Sequence, residues 1–188
     1  QNEFEIGNVQ SNERNEKIKF KDNFSFCQQG QNWSYANLKI EILFPHPQEL
    51  IYAKDQQNEY SCVVYIQFLN AQPYQNFLIM GDAGWETEYK LLQQYPDLKV
   101  DVLVLGHHGS KHSSAYDFLA VLKPKIAIAS AGDNNRYGHP SEEVKNRLEA
   151  LNIPLFNTVQ TGTISFSFDN GKVEIKQQRH ALKWLNRE

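Results

Sequence analysis

Gly106-His107-His108-Gly109-Ser110 follows an apolar run, Val100-Asp101-Val102-Leu103-Val104-Leu105, and Gly81-Asp82 follows another, Asn76-Phe77-Leu78-Ile79-Met80. An acidic residue and a histidine pair, each at the C-terminal edge of a buried strand, can converge on one spot. Such spots bind divalent metals or catalyse hydrolysis, because neutral imidazole is the commonest metal ligand and a carboxylate supplies a second donor. The same residues have plainer uses. Asp82 can cap the helix that follows, with Glu86 nearby, and tandem loop histidines can simply bond to backbone. Adjacent residues on a strand face opposite ways, so one histidine of the pair is expected to face any given ion. A tetrahedral zinc needs about four ligands, and these positions supply two.

Two more clusters carry polar chemistry. Ser110, Lys111, His112, Ser113 and Ser114 offer hydroxyls, amides and an ammonium that can hold phosphate, although Ser113 reads equally well as a helix cap. Asn134-Asn135-Arg136-Tyr137-Gly138-His139-Pro140 falls between a buried strand and a helix. A helix start flanked by Arg136 and His139 can receive an anion, and a polar loop is the plain alternative. His46, between two prolines, and His180 lack partners in the pattern and read as structural or surface residues. There is no Gly-x-x-x-x-Gly-Lys-Ser, Gly-x-Ser-x-Gly or Gly-x-Gly-x-x-Gly. P-loop nucleotide binding, hydrolase-elbow chemistry and dinucleotide redox chemistry therefore lose their usual support.

The elements that must position these groups follow from periodicity. Leu38–Leu43 alternates apolar and polar residues, and Pro45-His46-Pro47 stops it. Ser61–Phe68 and Phe77–Met80 read as a hairpin around the turn at 70–73. A helix is expected from Trp85, with Trp85, Tyr89 and Leu92 at helical spacing and Pro96 at its end. Asp101–Leu105 is a buried strand. Ser113-Ser114 is expected to cap a helix over Ala115–Leu122, with Phe118, Leu119 and Leu122 inward. A strand at Lys125–Ser130 precedes a helix opened by Pro140-Ser141-Glu142-Glu143, with Val144, Leu148 and Leu151 as its stripe. Leu155–Thr158 is a short strand, Asn170-Gly171 turns a final hairpin, and Ala181–Arg187 reads as a terminal helix or stub. Strands first, then β-α-β-α-β, then a hairpin, make an α/β domain with helices outside a mixed sheet. Residues 1–23 form a polar N-terminal segment, 24–178 the domain, and 179–188 the C-terminal helix or stub.

With 188 residues and 40% hydrophobic content the chain has enough apolar mass for one core. A net charge of −3 argues against a strongly basic nucleic-acid module, so contact with DNA needs a local patch or a metal. No run of 18 apolar residues exists, no signal-peptide pattern opens the chain, and Gln1 rather than Met begins it; it reads as excised from something longer. Cys27 and Cys62 are either two buried thiols or one disulfide in an oxidising compartment.

Phe77–Asp82, Asp101–Lys111 and Asn134–Pro140, in that order, resemble the C-terminal metallo-β-lactamase-fold domain of the ComEC competence DNA-uptake channel proteins. Cys27–Trp33, Ile42–Pro45 and Ser61–Val64 resemble the proteobacterial branch, and the similarity covers roughly residues 24–168. The resemblance implies an αββα sandwich, of which this chain is the second half. It also implies a phosphodiesterase or nuclease that degrades the strand not transported. It further implies two divalent ions, zinc or manganese, in the complete domain, with weak metal binding or none expected of this fragment alone. Two such ions sit about 3.5–4 Å apart and act together on a phosphodiester. Asp82 would bridge them and His108 would hold one, with His107 the alternative ligand. His139 at the rim would assist phosphate binding or proton transfer, and Ser110, Lys111 and Arg136 would meet the phosphate. The cysteines would fit a periplasm-facing disulfide, in a soluble domain of an inner-membrane parent. DNA and the transmembrane channel portion of the same polypeptide are the implied partners. The family's His-x-His-x-Asp-His motif has no counterpart here, so the fragment is expected to be inactive, with an uncovered sheet edge that favours dimerisation or domain exchange. A non-catalytic DNA-guiding module and a stand-alone hydrolase of a small phosphoester are the rival readings.

Overall fold

The fold comes from a computed structural model, in which residues 9–11, 24–49 and 57–178 are described. A short parallel pair, β1 (Val9–Ser11) and β2 (Phe24–Phe26), comes first. The main sheet has seven strands among the described residues. These are β3 (Asn32–Tyr35), β4 (Leu38–Phe44), β5 (Val63–Phe68), β6 (Asn76–Ile79), β7 (Val102–Val104), β8 (Ile126–Ala129) and β9 (Leu155–Asn157), lying side by side in chain order. From β3 to β6 the pairing is antiparallel; from β6 to β9 it is parallel. The change follows from the connections. Short turns join β3 to β4 and β5 to β6, and residues 45–62 connect β4 to β5, whereas α1 (Trp85–Gln94), α2 (Tyr116–Leu122) and α3 (Glu142–Ala150) carry the chain back between the last four.

Alternation along the strands sorts side chains to two faces. Leu43, Val63, Leu78, Leu103 and Ala127 pack against Leu91 of α1, Phe118 and Leu119 of α2, and Val144 and Leu148 of α3. Phe77, Val102, Ile126 and Ile128 point the other way, where the hairpin β10 (Ile164–Asp169) and β11 (Lys172–Gln177) covers them with Ile164, Phe166 and Ile175. Phe166 meets Phe77 edge-on at 4.9 Å, and Phe168 stacks on Phe68 at 3.9 Å. One turn of helix, α4 (Thr158–Thr161), links β9 to this hairpin. Helices on one face and a small second sheet on the other give the expected mixed α/β layering. The expected C-terminal helix and His180 lie outside the described residues.

Two local expectations are corrected. Trp85 and Tyr89 are not the buried face of α1: they are 46% and 62% exposed. The face turned inward carries Thr87, Glu88 and Leu91. Ser113-Ser114 does not cap α2 through a side chain. The Ser113 hydroxyl donates to the carbonyls of Gly106 and Ser110 instead, at 2.7 and 2.9 Å. A carboxylate from α1, described below, receives the amides at the start of α2. Ser141 does cap α3, accepting from the Val144 amide at 3.4 Å.

Cys27 and Cys62 form a disulfide with Cα atoms 5.9 Å apart, 35 residues apart in sequence. Closing a loop of that length restricts the unfolded chain by about 3–4 kcal/mol. Reduction, or the double change Cys27→Ser with Cys62→Ser, is therefore expected to lower unfolding stability by that amount in urea titrations. An unchanged midpoint in dithiothreitol would contradict it.

Candidate functional site

Strands β6, β7 and β8 are level at their carboxyl ends, because Ile79 pairs with Val104 and Val104 with Ile128. Three chain exits, at 80–82, 105–108 and 129–131, therefore leave the sheet side by side. This edge is where open α/β sheets bind ligands. The His107 amide donates to the Gly81 carbonyl at 2.9 Å, tying the first exit to the second. The Asp82 amide donates to Ser61 Oγ at 3.1 Å, next to Cys62 and its disulfide. Asp82 is not the helix cap: Gly84 holds that position without a side-chain cap bond. Its carboxylate is left for the histidines.

The tandem histidines do not lie on the strand. β7 ends at Val104, and residues 106–109 form a tight turn in which His107 (φ 46°) and His108 (φ 57°) are both left-handed. Side chains other than glycine reach that region at a cost of about 1–3 kcal/mol each. The flanking glycines are required by space as well: a Cβ at Gly106 would collide with the Ala83 carbonyl oxygen, and one at Gly109 would lie 2.7 Å from Pro140 Cβ. Of the two rings His108 faces the Asp82 carboxylate, and the turn rather than strand alternation sorts them.

His108 Nδ1 lies 2.6 Å from the Ser130 carbonyl oxygen, which can only accept, so that nitrogen carries the proton. Nε2 then faces Asp82 Oδ1 at 3.6 Å. In the neutral ring this sets a lone pair against a carboxylate, so the pair calls for a second ring proton or a cation between them. Two ligands of a tetrahedral zinc, with bonds of about 2.0–2.1 Å, stand about 3.3 Å apart, close to the observed spacing. His107 turns toward His139, ring centres 5.8 Å apart. His139 is half-buried, and its Nδ1 is buried without a hydrogen-bond partner. Burial, and then the fields of His107 and His108, hold its pKa below the usual histidine value, which favours neutral imidazole. The loop that presents it is clamped by Asn135. That side chain accepts from the His139 amide at 2.7 Å and donates to the His139 and Gly132 carbonyls at 2.8 and 2.9 Å.

The other expected site residues are placed differently. Lys111 is exposed, and its carbonyl accepts from Arg147 at 3.3 Å. Ser110 is buried, its hydroxyl accepting from the His112 amide at 3.4 Å. Arg136 is exposed, with its guanidinium 4.6 Å from the Tyr137 ring centre. His46 stays local, accepting from the Gln48 amide at 3.3 Å. Among the described residues no group of three His, Cys, Asp or Glu side chains is placed to hold a metal ion. Asp82 and His108 thus fit two positions of a metal site, and the described residues do not complete one.

Sequence reasoning missed the brace behind the histidine turn. Glu88, 1% exposed, accepts from the Ala115 amide at 2.8 Å and from the Ser114 amide at closer range. Arg147 of α3 donates to the Ser113 and Ser114 carbonyls at 3.0 and 3.2 Å. Glu59 receives the Gly84 and Thr87 amides at 3.3 and 3.2 Å. A glutamate on a helix face that also carries Thr87 and Leu91 was the one available signal. Burial pushes the Glu88 carboxyl up from 4.5 to about 7; the Ala115 and Ser114 amides and Arg147 oppose this, and Glu59 adds to it. The folded chain therefore holds a proton that the unfolded chain releases above about pH 4.5. That stabilisation is complete below pH 4.5 and is lost as pH rises to about 7. In urea titrations wild type should lose stability over that window relative to Glu88→Gln, whose side chain does not titrate. Parallel pH profiles for the two proteins would contradict this.

No protein-family model matches the chain. Competence protein ComA of Neisseria gonorrhoeae is 35% identical over 150 residues, 79% of this chain and 20% of that protein. Recombination protein 2 of Haemophilus influenzae is 32% identical over 155 residues, 82% of this chain and 18% of that protein. ComE operon protein 3 of Bacillus subtilis is 42% identical over 95 residues, 50% of this chain and 12% of that protein. The chain thus spans a fifth or less of the length of these curated relatives. A solved structure from Parabacteroides distasonis, assigned by inference as a metal-dependent hydrolase, is 17% identical. It overlaps 69% of this chain and 55% of its own with a TM-score of 0.43, and at that score the likeness carries no argument. With relatives 35% and 32% identical over 79% and 82% of its length, the chain belongs to the ComEC competence-protein family.

Proposed function

We propose that this chain contributes half of a metal-dependent phosphodiesterase site in a DNA-internalisation protein, where it acts on the DNA strand that is not transported. The observation that carries this reading is the Asp82–His108 pair. Its ring tautomer is set by Ser130, and its free nitrogen stands 3.6 Å from a carboxylate oxygen at the carboxyl edge of the sheet. Two ligands do not make a catalyst, so the chain by itself is inactive, and the remaining ligands belong to another part of the parent. The roles left to this chain are direct. Asp82 and His108 hold the cation, and His139, kept neutral, takes up or returns a proton at the rim. Lys111 and Arg136 are the exposed cations nearest in sequence to the histidines, available to phosphate oxygens. Backbone phosphate contacts of this kind carry no base sequence preference.

The Cys27–Cys62 bond supports a periplasm-facing position on an inner-membrane parent, since such bonds persist in oxidising compartments. No described helix is long and apolar enough to cross a membrane, so the channel portion would lie elsewhere in that polypeptide.

A second reading, a non-catalytic module that guides DNA, is favoured by the absence of a three-ligand group among the described residues. The experiment uses a protein carrying the complete domain, with Asp82→Ala and His108→Ala tested for divalent-metal-dependent cleavage of a labelled oligonucleotide. Changing groups that only support ligands costs 10–100-fold, so loss of a ligand should cost at least about 100-fold while thermal unfolding stays near wild type. Undiminished cleavage by Asp82→Ala would contradict the proposal. A folded complete domain that binds DNA but holds no stoichiometric metal would select the guiding reading.

A further inference from the structure

Beside the Asp82–His108 pair lies a run of flat groups that ends in Tyr137, a residue the hydrolytic reading does not use. Tyr137 is 65% exposed. The Arg136 guanidinium lies 4.6 Å from its ring centre and also donates to its hydroxyl. The His139 ring lies 5.7 Å away and nearly parallel, at 18°. From His139 the next ring centre, His107, is 5.8 Å off, and His108 is 6.3 Å beyond that. Tyr137 is therefore at once exposed to solvent, oriented by two neighbours and joined by adjacent rings to the catalytic edge.

A second exposed aromatic beside a cation, among the described residues, is arranged for a different purpose. Trp85 has Arg147 at 5.6 Å and the His112 ring at 5.7 Å, but Arg147 is committed to the backbone carbonyls of Lys111, Ser113 and Ser114. That cluster holds the loop together. Arg136 instead lies against the tyrosine, so one short segment presents an aromatic ring and a guanidinium together. A nucleotide has the complementary pair, a π-face and an adjacent phosphate, and single-strand binding sites combine these two contacts.

We propose that Tyr137, oriented by Arg136 and His139, is a stacking platform for a base of single-stranded nucleic acid drawn across the Asp82–His108 edge. The proposal rests on the nucleic-acid reading above and adds a grip on the base to one on the phosphate. Stacking tolerates any base, so the platform holds the strand without selecting its sequence. It also favours a single strand, because a paired and stacked base has no free face to offer.

The test is binding without cleavage. The 188-residue chain is titrated, in EDTA, against a dye-labelled single-stranded oligonucleotide and against the same oligonucleotide with a central run of abasic sites, using fluorescence anisotropy. Wild type should bind the base-containing strand more tightly. Tyr137→Ala should weaken that binding by about 5- to 150-fold, the range for loss of one stacked base, and change abasic binding little. Tyr137→Phe keeps the ring and should bind like wild type. Unfolding midpoints of both variants should match wild type, since the side chain is on the surface. The proposal is overturned if wild type binds neither strand or both equally, if Tyr137→Ala discriminates as wild type does, or if Tyr137→Phe loses as much as Tyr137→Ala. A complete domain that shows the predicted binding but hydrolyses nothing would sink the phosphodiesterase reading and leave the platform standing. A complete domain that cleaves DNA with Tyr137→Ala indistinguishable in binding would do the reverse.

Discussion

The amide of His107 donating to the carbonyl of Gly81 joins two neighbouring strand exits at one height, and the remaining geometry of the edge depends on that union. Without it the parallel register would still bring β6 and β7 together, but the chain beyond each would be free to diverge. With it, the turn at 106–109 is drawn over the exit of β6, and His108 is left between Asp82 beyond the end of one strand and the Ser130 carbonyl beyond the end of another. A single imidazole thus reports on three strands. The local cost is two consecutive left-handed histidines, a conformation that persists only where the surroundings over-determine it. Here they do: Gly106 fits against Ala83, Gly109 against Pro140, and the Ser113 hydroxyl closes the turn from behind.

The support behind this edge is polar and buried, an arrangement that is costly unless every group is matched. Glu88 meets the condition with two backbone amides, and Arg147 satisfies carbonyls of the same loop. The loop carrying the histidines is therefore held to α1 and α3 by the Glu88 carboxyl and the Arg147 guanidinium rather than by apolar packing alone. The histidine loop and the Asp82 loop are linked through the same helix, because α1 begins three residues after Asp82 and carries Glu88.

Much of this was legible in the sequence, for reasons that can be named. Alternation marked β4 and the β5–β6 hairpin. Asn170-Gly171 turned as two left-handed residues should, with φ of 47° and 79°. Asp82 and the histidines were found because strand ends are visible as the limits of apolar runs. What failed were properties set by distant partners. The buried face of α1 was obscured because Trp85 and Tyr89 look apolar and Glu88 does not; burying Glu88 depends on amides at 114 and 115, which periodicity cannot reveal. The cap of α2 was missed for the same reason. The sorting of His107 from His108 was assigned to a strand because nothing in two adjacent histidines announces a left-handed turn. Ser61 and Glu59 gave no signal, since each acts on backbone more than 20 residues away in sequence, and Asn135, which holds Gly132 and His139, read as one polar loop residue among several.

The metal-site reading depends on His108 donating from Nδ1 to the Ser130 carbonyl and turning Nε2 to Asp82. Long-range proton–nitrogen NMR of the imidazole reads that state directly. The expected result is a proton on Nδ1, and a coordination shift at Nε2 on adding zinc that disappears in Asp82→Asn. A ring protonated at Nε2 alone, with no response to zinc, would contradict it.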